Sequence, residues 1–205
     1  MSTEKANINK KTRLNRRFAD IALLDEAIFH TTDLANLWNI RNKNTLYKTL
    51  SRYSREGIIH RIYNGLYSIH EMKDIDPYLL GVKILHGNAY ISTETILYDR
   101  GIINQKPRDI TLAGPISKRF SVGDYRYRDR KLQDKFLFNN AGIEIINGLL
   151  TATIERAVLD MLYFSPKKYL DAYNSKLINW DKVRDLSIEI GYNIKIPRIY
   201  DDIAK

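Results

Sequence analysis

Apolar residues between positions 31 and 69 change from a helical spacing to an alternating one. Leu34, Leu37 and Trp38 recur at i, i+3 and i+4, which predicts one face of a short helix. A second helix is predicted from the i, i+4, i+7 spacing of Leu46, Leu50 and Tyr53. Two short runs, IIHRIY and LYSI, then flank an Asn-Gly pair, the strongest short hairpin signal. The order is helix, helix, hairpin.

Local start and stop signals set the bounds of these elements. Thr31 is the expected N-cap of the first helix, Asn42 or Asn44 caps the second, and Gly57 suits the left-handed position after it. A type I′ turn at 64–65 needs positive φ at both residues. Upstream, RRFADIALLDEAIFH predicts a further helix and a strand at 28–30. Together these elements predict a winged helix-turn-helix over residues 18–72.

The second helix and the hairpin carry residue types that read DNA. The major groove admits an α-helix, and its base edges pair with Asn, Arg, Lys, Ser or Thr. From Arg41 to Arg61 there are six basic residues against Glu56 alone, an excess suited to phosphate neutralisation. The alternative is a winged helix that holds a protein partner, with an ordinary solvated basic face. The candidate DNA-binding residues are Arg41, Asn42, Lys43, Asn44, Thr45, Tyr47, Lys48, Arg52, Arg61, Asn64 and Gly65.

Composition fits a nucleic-acid partner. The 205 residues carry a formal net charge of +9, with a pI near 9.5. Residues 1–17 contain six basic residues and one acidic residue, which predicts a flexible basic arm. No apolar core follows those charges, as a secretory signal would require, and no run approaches the roughly 20 apolar residues of a membrane span. The chain has no cysteine, which fits a reducing compartment. A cytoplasmic protein is expected.

A change of texture near residues 71–77 predicts a domain boundary, followed by a mixed α+β domain over 76–205. Asp76 and Pro77 start a helix, Ser92 is the expected cap of the next, and Gly101 ends it. The strand candidates are DITLAG, KRFSVGDYRYRDRK, KFLF and GIEII, predicting a small sheet flanked by helices. Thr153 opens a late helix. Its polar residues are expected to project away from its apolar side, namely Glu155, Arg156 and Asp160. Two helical segments then follow, ending before Gly191.

The YRYRDRK segment predicts a basic stripe. Period-2 spacing places its tyrosines on one strand face and its arginines on the other. From Lys106 to Lys135 there are nine basic and four acidic residues. One hypothesis is a second phosphate-contacting surface; the alternative is a solvated edge strand whose charges discourage edge pairing. The candidate residues are Lys118, Arg119, Arg126, Arg128 and Arg130.

Enzymatic motifs are missing from the sequence. The four histidines lie far apart, and the chain contains no H-E-x-x-H, no G-x-x-x-x-G-K-[ST] and no G-x-S-x-G. No catalytic residue, metal site or cofactor is therefore expected. The enzymatic alternative is a nuclease that uses Asp109, Glu144 and Glu155, which lie near predicted element ends, although no lysine stands two residues after either glutamate.

Several segments in order resemble the AbiEi-type antitoxins of abortive-infection, type IV toxin–antitoxin systems. HRIYNGLYSIH resembles the wing of that family, and DIDPYLLGVKI resembles the opening of its second domain. AYISTETILYDRGIINQKPRDITLAG is similar to the strand, helix, strand unit that follows, and TATIERAVLDML to its late helix. The resemblance covers roughly residues 18 to 165.

The resemblance implies a protein with two functions. Its N-terminal domain would bind inverted repeats in its own promoter, with contacts from 42–48, Arg52 and the 61–65 wing. Its C-terminal domain would counteract a companion nucleotidyltransferase-like toxin, without necessarily forming a stable complex. In the C-terminal domain the matching positions are structural: Ser92 as a cap, Ala157 as a close-packing position, and Arg156 with Asp160 as an intradomain pair. The chain could be a monomer in solution or a dimer that meets only on DNA.

Overall fold

A computed structural model describes residues 16–24, 26–165, 174–194 and 196. The chain divides into two compact units, with the boundary between Ile75 and Asp76; they are called unit 1 and unit 2 below. The class is mixed α+β, as predicted. Most of the predicted basic arm lies outside the described residues, and so does much of the penultimate predicted helix. No helix among the described residues has the length and apolar composition needed to cross a bilayer.

Unit 1 packs three helices against a small sheet. Helix α1 is described over residues 16–22, and the remaining elements are β1 (Ile28–His30), α2 (Thr31–Leu37), α3 (Lys43–Arg55), β2 (His60–Tyr63) and β3 (Leu66–Ser68). The strands form an antiparallel sheet in the order β1-β3-β2. Leu34, Leu46 and Leu50 lie at the centre of the core, beside Trp38 and Tyr53, whose rings meet edge to face with centroids 5.6 Å apart. The element order matches the prediction, and its interpretation as a DNA-binding winged helix stays a prediction.

Arg17 does not belong to a flexible arm. It lies within α1, is only 9% exposed, and places its guanidinium 5.3 Å from the centre of the Trp38 ring. Its Nη1 also donates to the Tyr53 hydroxyl over 3.4 Å. The long side chain covers the aromatic core with its guanidinium stacked on indole, so burial of this charge is compensated. The core of unit 1 therefore begins at least one residue earlier than predicted.

The capping predictions for α3 are confirmed. Asn42 is its N-cap, and the Asn42 side-chain oxygen accepts from the Thr45 backbone N–H at 3.0 Å. Gly57 has φ of +70° and follows the C-cap. The Ile58 N–H then donates to the Tyr53 carbonyl at 2.9 Å, closing the Schellman motif that ends the helix.

Two turn predictions in unit 1 are wrong. Thr31 is the first residue of α2 rather than its cap, because its hydroxyl donates to the Gly65 carbonyl at 3.0 Å. The 64–65 turn is not type I′, because Gly65 has positive φ and Asn64 does not. A bulge between Arg61 and Tyr63 shifts the register of β2 against β3. Bulges increase the right-handed strand twist that a type I′ turn would otherwise match.

Unit 2 is built on a six-stranded mixed sheet. Its helices are α4 (Pro77–Ile84), α5 (Glu94–Asp99), α6 (Asp134–Leu137), α7 (Ile154–Phe164) and α8 (Trp180–Ile190). Its strands are β4 (Tyr90–Ile91), β5 (Ile110–Gly114), β6 (Lys118–Val122), β7 (Tyr125–Lys131), β8 (Ile143–Ile146) and β9 (Leu149–Ala152). The order is β6-β7-β5-β4-β9-β8. The β5–β7 and β4–β9 pairs are parallel and the others antiparallel.

Asp76, Gly101 and Thr153 take the predicted positions at helix ends. The Asp76 carboxylate accepts from the Tyr78 N–H at 2.6 Å, Gly101 follows α5 with φ of +70°, and the Thr153 hydroxyl accepts from the Arg156 N–H at 3.2 Å. Gly191 likewise ends α8 with φ of +80°.

One strand candidate and one cap in unit 2 are wrong. Most of KFLF lies in the short helix α6, with Phe138 as its C-cap. The strand prediction fails because four residues carry too little periodicity to separate a strand from a helical turn. Ser92 does not cap α5: the N-cap is Thr93, and the Ser92 hydroxyl instead donates to the Asp160 carboxylate at 2.7 Å. Ser92 is fully buried, so it makes a hydrogen bond in the core and does not cap the helix.

Arg156 and Asp160 form a buried ion pair in α7, which confirms the intradomain pair that the resemblance implies. The expectation that their side chains project away from the apolar side of the helix is wrong. Both side chains are 0% exposed, and Nε lies 3.0 Å from the carboxylate. Asp160 also accepts from the hydroxyls of Tyr90 at 2.8 Å and Tyr192 at 2.6 Å. Burial, followed by the Asp160 charge, raises the pKa of both tyrosines well above the ordinary value. Glu155 is also buried, so α7 presents nearly all of its faces to the protein.

Asp129 is a further buried carboxylate, on the strand next to the β6 edge. It is 2% exposed, its Oδ2 accepts from the Ile116 N–H over 3.4 Å, and its Oδ1 has no hydrogen-bond partner among the described residues. Burial raises the pKa of Asp129 to about 7, while the backbone N–H groups of Ile116 and Arg130 act to lower it. A Cβ added at Gly114 would lie 2.5 Å from Oδ1, so this neighbour has to be small.

Candidate nucleic-acid interface

The surface of α3 opposite its core residues is polar and basic. Burial of Leu46, Leu50 and Tyr53 turns the other side of the helix to solvent. Thr45 and Tyr47 lie on this side, and Tyr47 is 54% exposed. The exposed predicted residues on and just before the helix are Arg41, Asn42, Lys43, Asn44, Thr45, Tyr47 and Lys48. The structure therefore brings the first part of the predicted set together on one accessible face.

Asn42 and Arg52 are already engaged within the helix. The Asn42 oxygen is held by the Thr45 N–H, so only its amide nitrogen remains to meet a base or a phosphate. Arg52 lies 3.9 Å from Glu56 and 5.1 Å from the centre of the Tyr53 ring. The Arg52–Glu56 pair is partly exposed and loosely spaced, and such pairs contribute at most about 1 kcal/mol. Arg52 can exchange that partner for an anion at little cost.

The hairpin of residues 60–68, called the wing below, is tied to the start of α2. The Gly65 carbonyl accepts from the Thr31 N–H at 2.9 Å and from the Thr31 hydroxyl at 3.0 Å. Arg61 donates from Nη2 to the Asn64 side-chain oxygen over 3.1 Å. These bonds fix the turn and orient the Arg61 guanidinium, which is exposed. The predicted wing residues are thus held in place by neighbours close in space.

Positive charge on this face is largely uncompensated. Among the described residues, no carboxylate lies within ion-pair distance of Arg41, Lys43, Lys48 or Arg55. Like charges that share a face without counterions repel one another and attract a polyanion. The arrangement can accept phosphates at several points, and it offers amide and hydroxyl groups between them.

Two grooves flank Tyr47, and their lining includes residues that the sequence-based set omits. One groove, of about 750 Å³, is lined by residues of α3 and by Glu56. The other, of about 540 Å³, lies between α3 and the wing. The omitted residues are Ser51, Ser54, Arg55, Glu56 and Tyr67. A signal was available for three of them, because Ser51, Ser54 and Arg55 stand at i+4, i+7 and i+8 from Tyr47 on one helix face.

The predicted basic stripe of unit 2 is only partly present. β7 lies between β6 and β5, so the edge-strand alternative does not apply to it, and the edge is β6 with Lys118 and Arg119. Arg130 is buried and its Nη2 lies 2.6 Å from Glu94. Burial lowers the pKa of Arg130, and Glu94 acts in the opposite direction. Arg130 therefore forms an internal ion pair with Glu94 and does not contribute to the predicted basic stripe.

The exposed remainder of that stripe meets a carboxylate. Arg119 Nε lies 3.3 Å and Arg126 Nε 3.1 Å from oxygens of Asp109, while Arg128 is half-buried opposite Arg119. Lys118 extends along the Phe120 ring, 5.9 Å from its centre. One acidic residue thus offsets two arginines, and the surface is less basic than the sequence count indicates.

The acidic residues considered for a nuclease do not converge. Asp109 pairs with Arg119 and Arg126, Glu144 with Arg100 at 3.1 Å, and Glu155 with Lys182 at 3.5 Å. In the described part of the chain, no group of three or more His, Asp or Glu side chains is arranged to hold a metal ion.

Comparison with known proteins identifies a shared fold. No family model matches the chain, and no curated protein is similar in sequence. The crystal structure of the RV2827C protein from Mycobacterium tuberculosis is similar, with a TM-score of 0.55, over 86% of this chain and 71% of that chain. The sequences are 12% identical, so the similarity concerns the fold alone. It agrees with the mixed α+β class.

Proposed function

We propose that this chain is a sequence-reading DNA-binding protein that acts through α3 and the wing. The observation that supports this proposal is the basic face of α3, most of whose positive charges lack a carboxylate partner among the described residues. Exposed asparagine, threonine and lysine side chains lie at the N-terminal end of this face. Those residue types pair with base edges in the major groove, while arginine and lysine farther along neutralise phosphates. Asn44, Lys43 and Lys48 are the proposed base-reading residues, and Arg41, Arg52 and Arg61 the proposed backbone contacts.

We propose further that the protein is a cytoplasmic antitoxin and autorepressor of a type IV toxin–antitoxin operon. This step rests on the resemblance of residues 18–165 to AbiEi-type antitoxins. The DNA target would be inverted repeats in its own promoter, bound by two copies about one helical turn apart. Unit 2 would counteract a companion nucleotidyltransferase-like toxin.

The alternative is a winged-helix protein-interaction module, or a regulator unrelated to any toxin. Exposed apolar side chains on unit 2 favour a protein partner. Phe138 is 67%, Ile145 72% and Ile188 82% exposed, and large exposed apolar side chains are the type that interfaces bury. The protein-interaction module predicts no preference for the upstream DNA.

A mobility-shift titration tests the DNA proposal. The duplex upstream of the gene and a shuffled duplex of equal length are titrated at two salt concentrations. Selective binding by the wild type, lost in Lys43→Ala and Lys48→Ala, is expected. Lys176→Ala removes an exposed charge from unit 2 and serves as the matched control. Equal binding of both duplexes by the wild type would contradict sequence reading.

Co-expression tests the antitoxin proposal separately. The neighbouring gene is expressed alone, with the full chain, and with the Lys43→Ala/Lys48→Ala chain. Growth rescue by both chains is expected, because neutralisation is assigned to unit 2 and not to α3. Failure of either chain to rescue growth would contradict that assignment.

We propose that the candidate residues of the predicted basic stripe form a second phosphate-contacting surface. With Arg130 excluded, it consists of Lys118, Arg119, Arg126 and Arg128. Arg126→Ala/Arg128→Ala should lower the salt dependence of DNA binding, since each phosphate contact contributes about 0.9 to the slope of log K against log salt. An unchanged slope would leave these residues as a solvated, carboxylate-paired surface.

A further inference from the structure

The groove between the second half of α3 and the wing has the chemistry of an anion site. Its α3 wall carries Ser51, Ser54 and Arg55, and its wing wall carries Arg61 and Asn64. The volume is about 540 Å³. Hydroxyl, amide and guanidinium donors face the same space from two directions. No carboxylate lines this groove, whereas Glu56 lines the neighbouring one.

Arg55 and Arg61 lie on opposite walls of the groove, and both have N–H groups that can donate to an anion. Arg61 is oriented by its bond from Nη2 to Asn64, 3.1 Å long, and that bond leaves its other N–H groups to donate elsewhere. Arg55 is exposed, has no ion-pair partner among the described residues and lines both grooves. Guanidinium groups donate in a fork that matches phosphate oxygens. A pair on opposite walls suits a chain of phosphates passing between them.

The wing wall of the groove is held rigidly. Gly65, at its turn, accepts two hydrogen bonds from Thr31 at the start of α2. The wing is thereby anchored to α2, whose Leu34 packs in one core with Leu46 and Leu50 of α3, so both walls belong to the same packed unit. A preformed site loses less ordering entropy on binding than a mobile one.

We infer that this groove seats one strand of a DNA duplex by its phosphate backbone, with Arg55 and Arg61 each neutralising one phosphate. The inference rests on the proposed DNA binding and deepens it. It divides α3 into two parts: the N-terminal half reads bases, and the C-terminal half, with the wing, fixes the position of the helix on the duplex. Arg55 is a contact residue that the sequence did not single out.

Fluorescence anisotropy of the full chain on the upstream duplex and on a shuffled duplex, at 50 and 200 mM salt, tests the inference. The variants are Arg55→Gln, Arg61→Gln, their double, and Arg55→Lys, with Lys176→Gln as the control. The measured quantity is the ratio of Kd at 200 mM salt to Kd at 50 mM salt. Because each phosphate contact contributes about 0.9 to the salt slope, this ratio should be about 3.5-fold smaller in each Gln variant and about 12-fold smaller in the double variant. Arg55→Lys should retain the wild-type slope because it keeps the charge.

The outcomes separate this inference from the proposed function. The Gln variants should weaken both duplexes to the same extent, because backbone contacts carry no sequence information. If the double variant keeps the wild-type salt slope and still binds selectively, the inference about the groove is overturned and the proposed function stands. Equal binding of the two duplexes by the wild type, with the expected slope changes, would overturn sequence reading and support the groove. Absence of salt-dependent duplex binding would overturn both.

Discussion

Replacing Arg156 by methionine should destabilise unit 2 severely. All five guanidinium N–H groups are used: Nε donates to Asp160, and the two Nη atoms donate to the Tyr90 hydroxyl and to the carbonyls of Phe136, Asn139 and Ala141. Methionine fills part of the volume and donates nothing. Three carbonyls lose their donor, and the Asp160 carboxylate stays buried without its cation.

The size of the effect follows from the environment of Asp160. Removing one partner of a buried ion pair costs about 3–5 kcal/mol. Three hydroxyls, from Tyr90, Ser92 and Tyr192, still donate to this carboxylate, which keeps the loss within that range. The same hydroxyls would lose their acceptor if Asp160 were also made apolar. A double apolar replacement should therefore not restore stability, in contrast to an isolated buried pair.

Urea unfolding followed by tryptophan fluorescence measures the effect. The chain has two tryptophans, so a Trp38→Phe background leaves Trp180, which is buried in unit 2, as the only reporter. With a slope of roughly 2 kcal/mol per molar urea, the midpoint should fall by about 2 M. Arg100→Met is the matched control: it breaks the exposed pair with Glu144 and should cost less than about 1 kcal/mol. A fall in Arg156→Met no larger than in this control would refute the reasoning.

Three further changes test other parts of the structure. The raised pKa of Asp129, about 7, means that the folded chain binds this proton more tightly than the unfolded chain, so stability falls as pH rises from about 4 to 7. Asp129→Asn should reduce the loss of urea midpoint between pH 5 and pH 8, and an undiminished loss would contradict the attribution. Gly81→Ala should destabilise unit 2 by about 1–3 kcal/mol, because the new Cβ would lie 2.7 Å from the Tyr127 ring. This steric cost opposes the helix preference for alanine, and a higher thermal midpoint in the variant would contradict the prediction. Asn42→Ala should cost about 1 kcal/mol by releasing the Thr45 N–H, and Asn42→Asp should restore most of it, whereas equal urea midpoints in all three chains would rule out a capping contribution.

The elements that the sequence predicts well are those whose determinants lie within a few residues. Asn42 caps an N–H three positions away, and Gly57 ends a helix whose last turn it directly follows. The i, i+4, i+7 spacing of core residues also fixed the outward face of α3, so most of the candidate interface could be located. The position of the 64–65 turn is predicted correctly, but the predicted turn type is wrong, because the bulge in β2 depends on pairing with β3.

The errors in unit 2 come from partners distant in sequence. Alternation alone put Arg130 on a basic face, but its carboxylate partner, Glu94, stands 36 residues earlier. Ser92 has the composition of a cap, yet its acceptor Asp160 stands 68 residues later. Local patterns carry no information about such pairs, because the sheet order that brings them together is decided by tertiary packing. Arg130, which the alternation places on a surface, is buried for this reason.

The order of the six-stranded sheet leaves β4 without its second neighbouring strand during part of synthesis. β4 has β9 as its second neighbour, and Ile91 pairs in parallel with Thr151. At roughly 5–20 residues per second, the intervening stretch of about 60 residues takes on the order of 3–12 seconds to synthesise. During that interval the nascent chain holds β4 as an open edge, whereas the sheet of unit 1 pairs only within residues 28–68 and can already be complete. Residues 149–152 are thus the strand that completes the sheet of unit 2, and a chain that stops short of them exposes an unpaired strand prone to association with other chains.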